Sequence, residues 1–342
     1  MTQASGVDLS RVAVVIPCYR SARSIVQVVS GIPQGIRTIV CVNDASDDGL
    51  GSVLDDLARN DDRVSVVTHD QNRGVGGATI TGYRHAMAIG VDVIVKIDSD
   101  GQMNPAFIPE LVEPIISGEA DYVKGNRFFD IDRVRRMPVV RLIGNAGLTF
   151  LTRISSGYWD VADPTNGYTA IHSAVASLLP LDKLHRRYFF ESDILFRLNS
   201  FGAVVAEQPV ESRYGNETSH LSVVWSLLTF PFLHLRNLLK RLFYNYFLRN
   251  FDVASLYLIA GVALEAFGII FGASAWQESA RSGMPATTGT VMLSVLPLIL
   301  GFQLLLAFLH HDVVRTPRVA IQRRINSRRV LVTSEPGRLE QS

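Results

Sequence analysis

Two carboxylates one residue apart, Asp98 and Asp100, end the apolar run in VKIDSDGQMNP. Like charges this close repel, so a cation between them is their natural complement. Hard oxygen ligands, with Gln102 two residues further on, suit Mg²⁺ or Mn²⁺. Such an ion takes further oxygens from a substrate phosphate and neutralises a diphosphate leaving group as the bond to it breaks. Taken alone, the pair is equally the pattern of a solvated acidic turn. Asp44, in CVNDASDD, stands at another strand end. There a carboxylate can accept hydrogen bonds from ribose hydroxyls or a base imino group, while an Asx turn or helix cap reads as well from the same residues. The turn NRGVGGA offers small residues whose backbone can approach a nucleotide, but it lacks the lysine of a Walker loop.

These residues need elements to hold them. From Arg11 the chain alternates: RVAVVIP reads as a strand buried on both faces, and TIVCVN, VSVVTH and VDVIVKI as further strands. Between and after them SIVQVVSGI, GSVLDDLARN, ATITGYRHAMAIG and PAFIPELVEPIISG read as helices, the last with Asn104 as cap and Pro105 in the first turn. Alternation of this kind predicts an α/β fold with a mainly parallel sheet and right-handed crossovers. In such sheets ligands sit at the carboxyl ends of the strands, where Asp44, Asp98 and Asp100 all fall. Further on, residues 128–140 read as a basic loop, 141–156 as a helix and YTAIHS as a strand. FFESDILFRLNSFG reads as a helix stopped by Gly202, and AVVAEQPV as the last strand.

The chain has 342 residues, 47% of them hydrophobic, and a formal net charge of +1. That charge gives no electrostatic argument for a nucleic-acid partner. The apolar excess is concentrated after residue 221. LHLRNLLKRLFYNYFLRN sets Arg236, Lys240 and Arg241 on one side of a leucine-rich helix, which suits a helix lying in a membrane surface. Val253 to Trp276 and Thr290 to His310 are each long enough to span a bilayer core of about 30 Å. The connector carries Glu278 and Arg281, and the tail after Asp312 is rich in arginine, so the tail is expected in the cytosol and the connector outside. The N-terminus lacks a signal-peptide core, which puts the first domain on the cytosolic side as well. Glu265 lies within the first span, as a functional carboxylate or a packing one. Cys18 and Cys41 read as buried thiols. The expected divisions are a catalytic domain over 1–221, interfacial helices over 222–251, two transmembrane helices over 252–311 and a basic tail over 312–342.

In order and spacing, VVIPCY, VNDASDD, NRGVGGA and DSDGQ resemble family 2 glycosyltransferases, which have the GT-A fold. KGNRF, DPTNGY and ESRYGNETSHL look like stretches of the polyisoprenyl-phosphate glycosyltransferases, a group that includes dolichol-phosphate mannose synthase and bacterial undecaprenyl-phosphate glucosyltransferases. The resemblance implies a membrane-bound inverting enzyme that moves a sugar from a nucleotide-diphosphate sugar, UDP-linked in preference to GDP-mannose, onto an undecaprenyl or dolichyl phosphate. It implies that Asp98, Asp100 and Gln102 hold Mg²⁺ or Mn²⁺. Pro17, Tyr19, Asp44, Asn72, Gly74 and Ser99 would line the donor pocket. Arg127, Arg213 and Ser219 would meet the acceptor phosphate. Glu191 and Asp193 occur where many members place a base, with Asp193 counted among the catalytic residues; donor-sugar hydroxyl binding is the preferred role of the pair and helix surface the plainer reading. Tyr19-Arg20-Ser21 departs from the family's common Tyr-Asn-Glu, and Gly101 stands where a leucine is common. The rival readings are a processive polysaccharide synthase, whose Gln-x-x-Arg-Trp pattern is absent here, and a non-catalytic nucleotide-sugar-binding partner. Gly261, Gly268 and Gly272 offer a surface for homo-oligomerisation within the membrane.

Overall fold

The computed structural model describes residues 7–129, 139–211 and 223–325; of 140–141 and 223–228 it describes the backbone alone. Arg213 and Ser219 lie outside the described residues, as does most of the basic stretch 128–140. The chain divides into two units. One comprises residues 1–238 together with 317–342, the other residues 239–316.

The first unit is built on a seven-stranded sheet in the order β3-β2-β1-β4-β6-β5-β7. Its strands are β1 (Val12–Cys18), β2 (Thr38–Asn43), β3 (Val64–Thr68), β4 (Val93–Lys96), β5 (Tyr122–Asn126), β6 (Thr169–His172) and β7 (Val205–Pro209). β6 runs antiparallel to β4 and β5, and every other pair is parallel. Every residue of β1 is buried. Alternate side chains serve opposite faces, as the strand period requires. Val12, Val14, Ile16 and Cys18 join one core with α1 (Ile25–Ser30), α2 (Leu50–Asn60) and α4 (Ile108–Ile116). Ala13 and Val15 join the other with α3 (Gly74–Ile89) and α7 (Phe190–Phe201). A continuous apolar run thus becomes a central strand covered on both sides.

Two elements differ from the sequence reading. β5 was not expected, because Lys124 and Asn126 interrupt its apolar run; both are buried all the same. α3 begins at Gly74, four residues before the expected start at Ala78. The rest follow closely. α5 (Val139–Ser156) and the short α6 (Ser173–Ala176) flank β6, and Gly202 closes α7 in the left-handed conformation at φ 77°. Asn104 caps the Pro105–Phe107 turn through its side chain. Cys18 and Cys41 are buried free thiols.

α8 (Val223–Phe243) is one helix that leads into a single π turn, Tyr244–Leu248. Arg236 and Lys240 are exposed along it, beside exposed Leu235 and Leu239. Arg241 does not share their face. It is buried, and its Nη1 donates to Asp312 Oδ1 at 2.6 Å. A guanidinium removed from water needs such a carboxylate, which Tyr246 supports by donating its hydroxyl at 2.7 Å.

In the second unit α9 (Val253–Ser282) and α10 (Thr288–Val314) form an antiparallel hairpin, and both are long and apolar enough to cross a membrane. Asp252 and Ser255 make a capping box at the start of α9. Large apolar side chains along both helices are exposed, including Val262, Phe267, Ile270, Leu296 and Phe302. A soluble core helix would bury them. Gly261 and Gly268 serve contacts inside the hairpin. A Cβ on Gly261 would lie 3.2 Å from the Gly301 carbonyl, and one on Gly268 3.0 Å from the Ser294 carbonyl. Glu265 packs beside Gly301 at the same crossing.

Candidate active site

The carboxyl ends of β1, β2 and β4 open into a cleft of about 640 Å³ within the first unit. Of the residues expected there, Pro17, Tyr19, Asp44, Asn72, Gly74, Asp98, Ser99, Asp100, Gln102, Arg127 and Glu191 line it. Asp193 does not. It is fully buried, with His185 N and Arg197 Nε donating to Oδ2 and Asn237 Nδ2 to Oδ1. On a helix, positions two apart point to different sides, so Glu191 faces the cleft and Asp193 the supporting core. Lys96, Arg187 and Tyr188 also line the cleft but were not singled out from sequence. Lys96 had a visible signal, a lone charge inside an apolar strand two residues before Asp98. Arg187 and Tyr188 gave none.

The acidic turn is tightly held. Asp98 follows β4, where Ile97 N still donates to Val15 O. Asp100 Oδ1 accepts from Gln102 N at 2.9 Å, across Gly101 at φ 76°. Glycine adopts that angle without strain, which accounts for its presence where the family often carries leucine. Ser24 Oγ donates to Ser99 O at 2.6 Å and ties the turn to α1. Among the described residues no three His, Cys, Asp or Glu side chains gather as a metal cage. Asp98, Asp100 and Gln102 all line the cleft, an oxygen donor set that fits a hard divalent cation completed by substrate oxygens rather than by protein.

Asp44 is buried, and its carboxylate is met by three protein donors: His69 Nδ1 at 2.7 Å, Arg73 N at 2.8 Å and Gly74 N at 2.8 Å. It therefore anchors the glycine-rich turn where α3 begins. Glycine is needed in that turn chiefly by the neighbouring segment. A Cβ on Gly74, at φ 81°, would stand 2.6 Å from the Arg186 carbonyl oxygen, and one on Gly76 2.9 Å from Phe190 Cβ. Gly77 N donates to Arg186 O at 2.9 Å. The turn thus brings Arg187 and Tyr188 to the cleft. Arg20 donates to both oxygens of Asp47, at 2.8 and 2.7 Å, and so knits the ends of β1 and β2.

Arg127, which also lines the cleft, is clamped by Asp163, with Nε to Oδ2 at 2.8 Å and Nη2 to Oδ1 at 2.9 Å. Asp163 is itself buried, and its N–H donates to Glu207 at 2.8 Å. Burial raises the Glu207 carboxyl, against the pull of the Asp163 and Ala162 amides. Lys124 Nζ donates to Asn166 O at 2.8 Å and fixes the same loop; burial lowers its pKa to about 8. Lys96 is 1% exposed, with Nζ 2.8 Å from Asp98 Oδ1 and 3.0 Å from Glu191 Oε1. Burial works against its ammonium, but the attraction of the two carboxylates outweighs that cost and raises its pKa above the usual lysine value.

A strand-end acidic turn, a glycine turn and arginines share one cleft at the carboxyl ends of an α/β sheet. The description "Glycosyl transferase family 2" matches residues 13–178. The UDP-N-acetylglucosamine–dolichyl-phosphate N-acetylglucosaminyltransferase of Methanococcus voltae is 30% identical over 213 residues, which is 58% of this chain and 84% of that one. The undecaprenyl-phosphate mannosyltransferase of Micrococcus luteus is 30% identical over 203 residues, 58% of this chain and 82% of that one. Mannosyl-3-phosphoglycerate synthase from Rubrobacter xylanophilus superposes with a TM-score of 0.50 at 18% identity, over 70% of this chain and 76% of that one, and so shares the fold. The chain belongs to glycosyl transferase family 2 and is a glycosyltransferase.

Proposed function

We propose that the enzyme transfers a sugar from a nucleoside-diphosphate sugar, UDP-linked by preference, onto the phosphate of a polyprenyl phosphate at the cytosolic face of a membrane. The observation that carries this reading is the cleft itself, whose lining combines Asp98, Asp100, Gln102 and Glu191 with Arg127 and Arg187. The names of the relatives support the acceptor class, and the Methanococcus relative supports a UDP donor.

A lipid monophosphate has a second pKa near 6, as other phosphate monoesters do, so at neutral pH it is largely the oxyanion nucleophile without a strong base. One of its oxygens forms a bond to the anomeric carbon as the bond from that carbon to the diphosphate breaks on the opposite face, and configuration inverts. Asp98, Asp100 and Gln102 would hold a divalent cation, which supplies charge neutralisation to the departing diphosphate. Arg127, oriented by Asp163, and Arg187 position phosphate oxygens. Glu191 accepts hydrogen bonds from donor-sugar hydroxyls. Asn145 and Leu148 of α5 and Phe230 of α8 bring apolar and amide groups to the rim, where a lipid head would enter.

Two spans suit this reading. Residues 320–322 dock on the first unit, so the hairpin must leave and return on one side. Arg315, Arg318, Arg323 and Arg324 follow the second apolar helix, which supports a cytosolic place for that side by the positive-inside rule. The test is a panel of UDP- and GDP-sugars with undecaprenyl phosphate and Mg²⁺ or Mn²⁺, read as glycolipid formed and nucleoside diphosphate released. One donor should react, and Asp100→Ala should lower turnover at least about 100-fold without moving the melting temperature. Unchanged turnover in Asp100→Ala, or no glycolipid from any donor, sinks the reading.

A further inference from the structure

Three carboxylates, Asp98, Asp100 and Glu191, line one cleft. Fixed negative charge of that density attracts a divalent cation before any substrate arrives. Lys96 changes this. It stands on β4 on the same side as Asp98, as positions two apart on a strand do. Its ammonium bridges Asp98 Oδ1 and Glu191 Oε1. The opposing backbone is shaped around it: a Cβ on Gly167 would lie 2.5 Å from Lys96 Nζ and 2.6 Å from Asp98 Oδ2. Lys124, through Asn166 O, holds that backbone in place. The lysine is therefore a built counter-charge on the carboxylate that a cation would need.

We propose that Lys96 is a positioning residue that partly neutralises the carboxylates of the cleft in the free enzyme, so that the divalent cation binds together with the nucleoside diphosphate rather than ahead of it. The proposal rests on the metal-assisted transfer described above. An ammonium beside Asp98 repels an incoming divalent cation, and even with the near-aqueous screening of an open cleft its removal tightens cation binding by about tenfold. The diphosphate brings its own negative charge and oxygens, which restore the attraction. Lys96 meanwhile keeps Glu191 aligned for the donor sugar.

The test is Mn²⁺ binding to the full chain in detergent, read by loss of the free-ion electron paramagnetic resonance signal, with and without UDP. Wild type should bind Mn²⁺ weakly alone and more tightly with UDP. Lys96→Met should bind it about tenfold tighter alone and show a smaller gain from UDP. Lys96→Arg, which keeps the charge, should match wild type, and Lys96→Gln gives the neutral comparison if the methionine variant fails to fold. A merely structural lysine would give weaker or unchanged binding when replaced. If both folded neutral variants bind Mn²⁺ no tighter than wild type while UDP still promotes it, the proposal fails alone. If wild type takes up no Mn²⁺ even with UDP, the metal-assisted reading fails and the proposal with it.

Discussion

Glu191 and Asp193 are chemically alike and two positions apart, yet they face different surroundings. Glu191 meets the cleft and the Lys96 ammonium. Asp193 accepts from His185 N, Arg197 and Asn237 in the interior. Asp193→Ala should therefore lower stability by about 3 kcal/mol, since it strands buried donors and a guanidinium. Glu191→Gln should chiefly raise the donor KM. Thermal melts and steady-state kinetics on the two variants check this; equal loss of turnover with unchanged melting in both would contradict it. The types of these residues were legible in the sequence, but their directions were not, because direction depends on the phase of α7 against the sheet. Asp44 repeats the lesson. Its strand-end place was legible, but its three backbone and imidazole donors come from a turn nearly thirty residues away.

At the scale of elements, α5 and α8 meet at a hydrogen bond between Ser155 Oγ and His234 Nδ1, at 2.7 Å. His234 is buried, and burial lowers its pKa to about 4. In the unfolded chain its pKa is about 6.5, so the unfolded state binds the extra proton below that pH. The stability held by neutral His234 is complete above pH 6.5 and is lost as pH falls from there towards 4, by up to about 1.4 kcal/mol per pH unit. His234→Gln should flatten the fall in melting temperature across that window. The first four strands and their helices were legible because β-branched runs and helical spacing alternate strictly. β5 was not, because Lys124 and Asn126 are polar in sequence and buried in the fold. Their partners, Asn166 O and Glu207, lie far along the chain.

At the scale of the whole molecule, the segment after the apolar hairpin belongs to the first unit. Asp121 accepts from Val204 N, Ile321 N and Gln322 N at 2.8 to 2.9 Å. Gln322 Nε2 donates to Ile115 O and Ala120 O, while Ile321 and Ile325 pack against the core. Sequence alone read residues 312–342 as one basic tail; the docking was invisible because its partners are backbone groups, which any sequence possesses. Gln322→Ala should cost the first unit about 1 to 2 kcal/mol, read as a lower melting temperature with KM unchanged.

That docking orders events at the ribosome. Asp121 leaves the exit tunnel two hundred residues before Ile321 and Gln322, and both membrane-length helices are made in between. Until the hairpin has been synthesised, Asp121, just before β5, has Val204 N as its one remaining donor among the described residues. Completion of the first unit therefore waits until both apolar helices have been made, so the sheet gains its last backbone donors only at the end of synthesis.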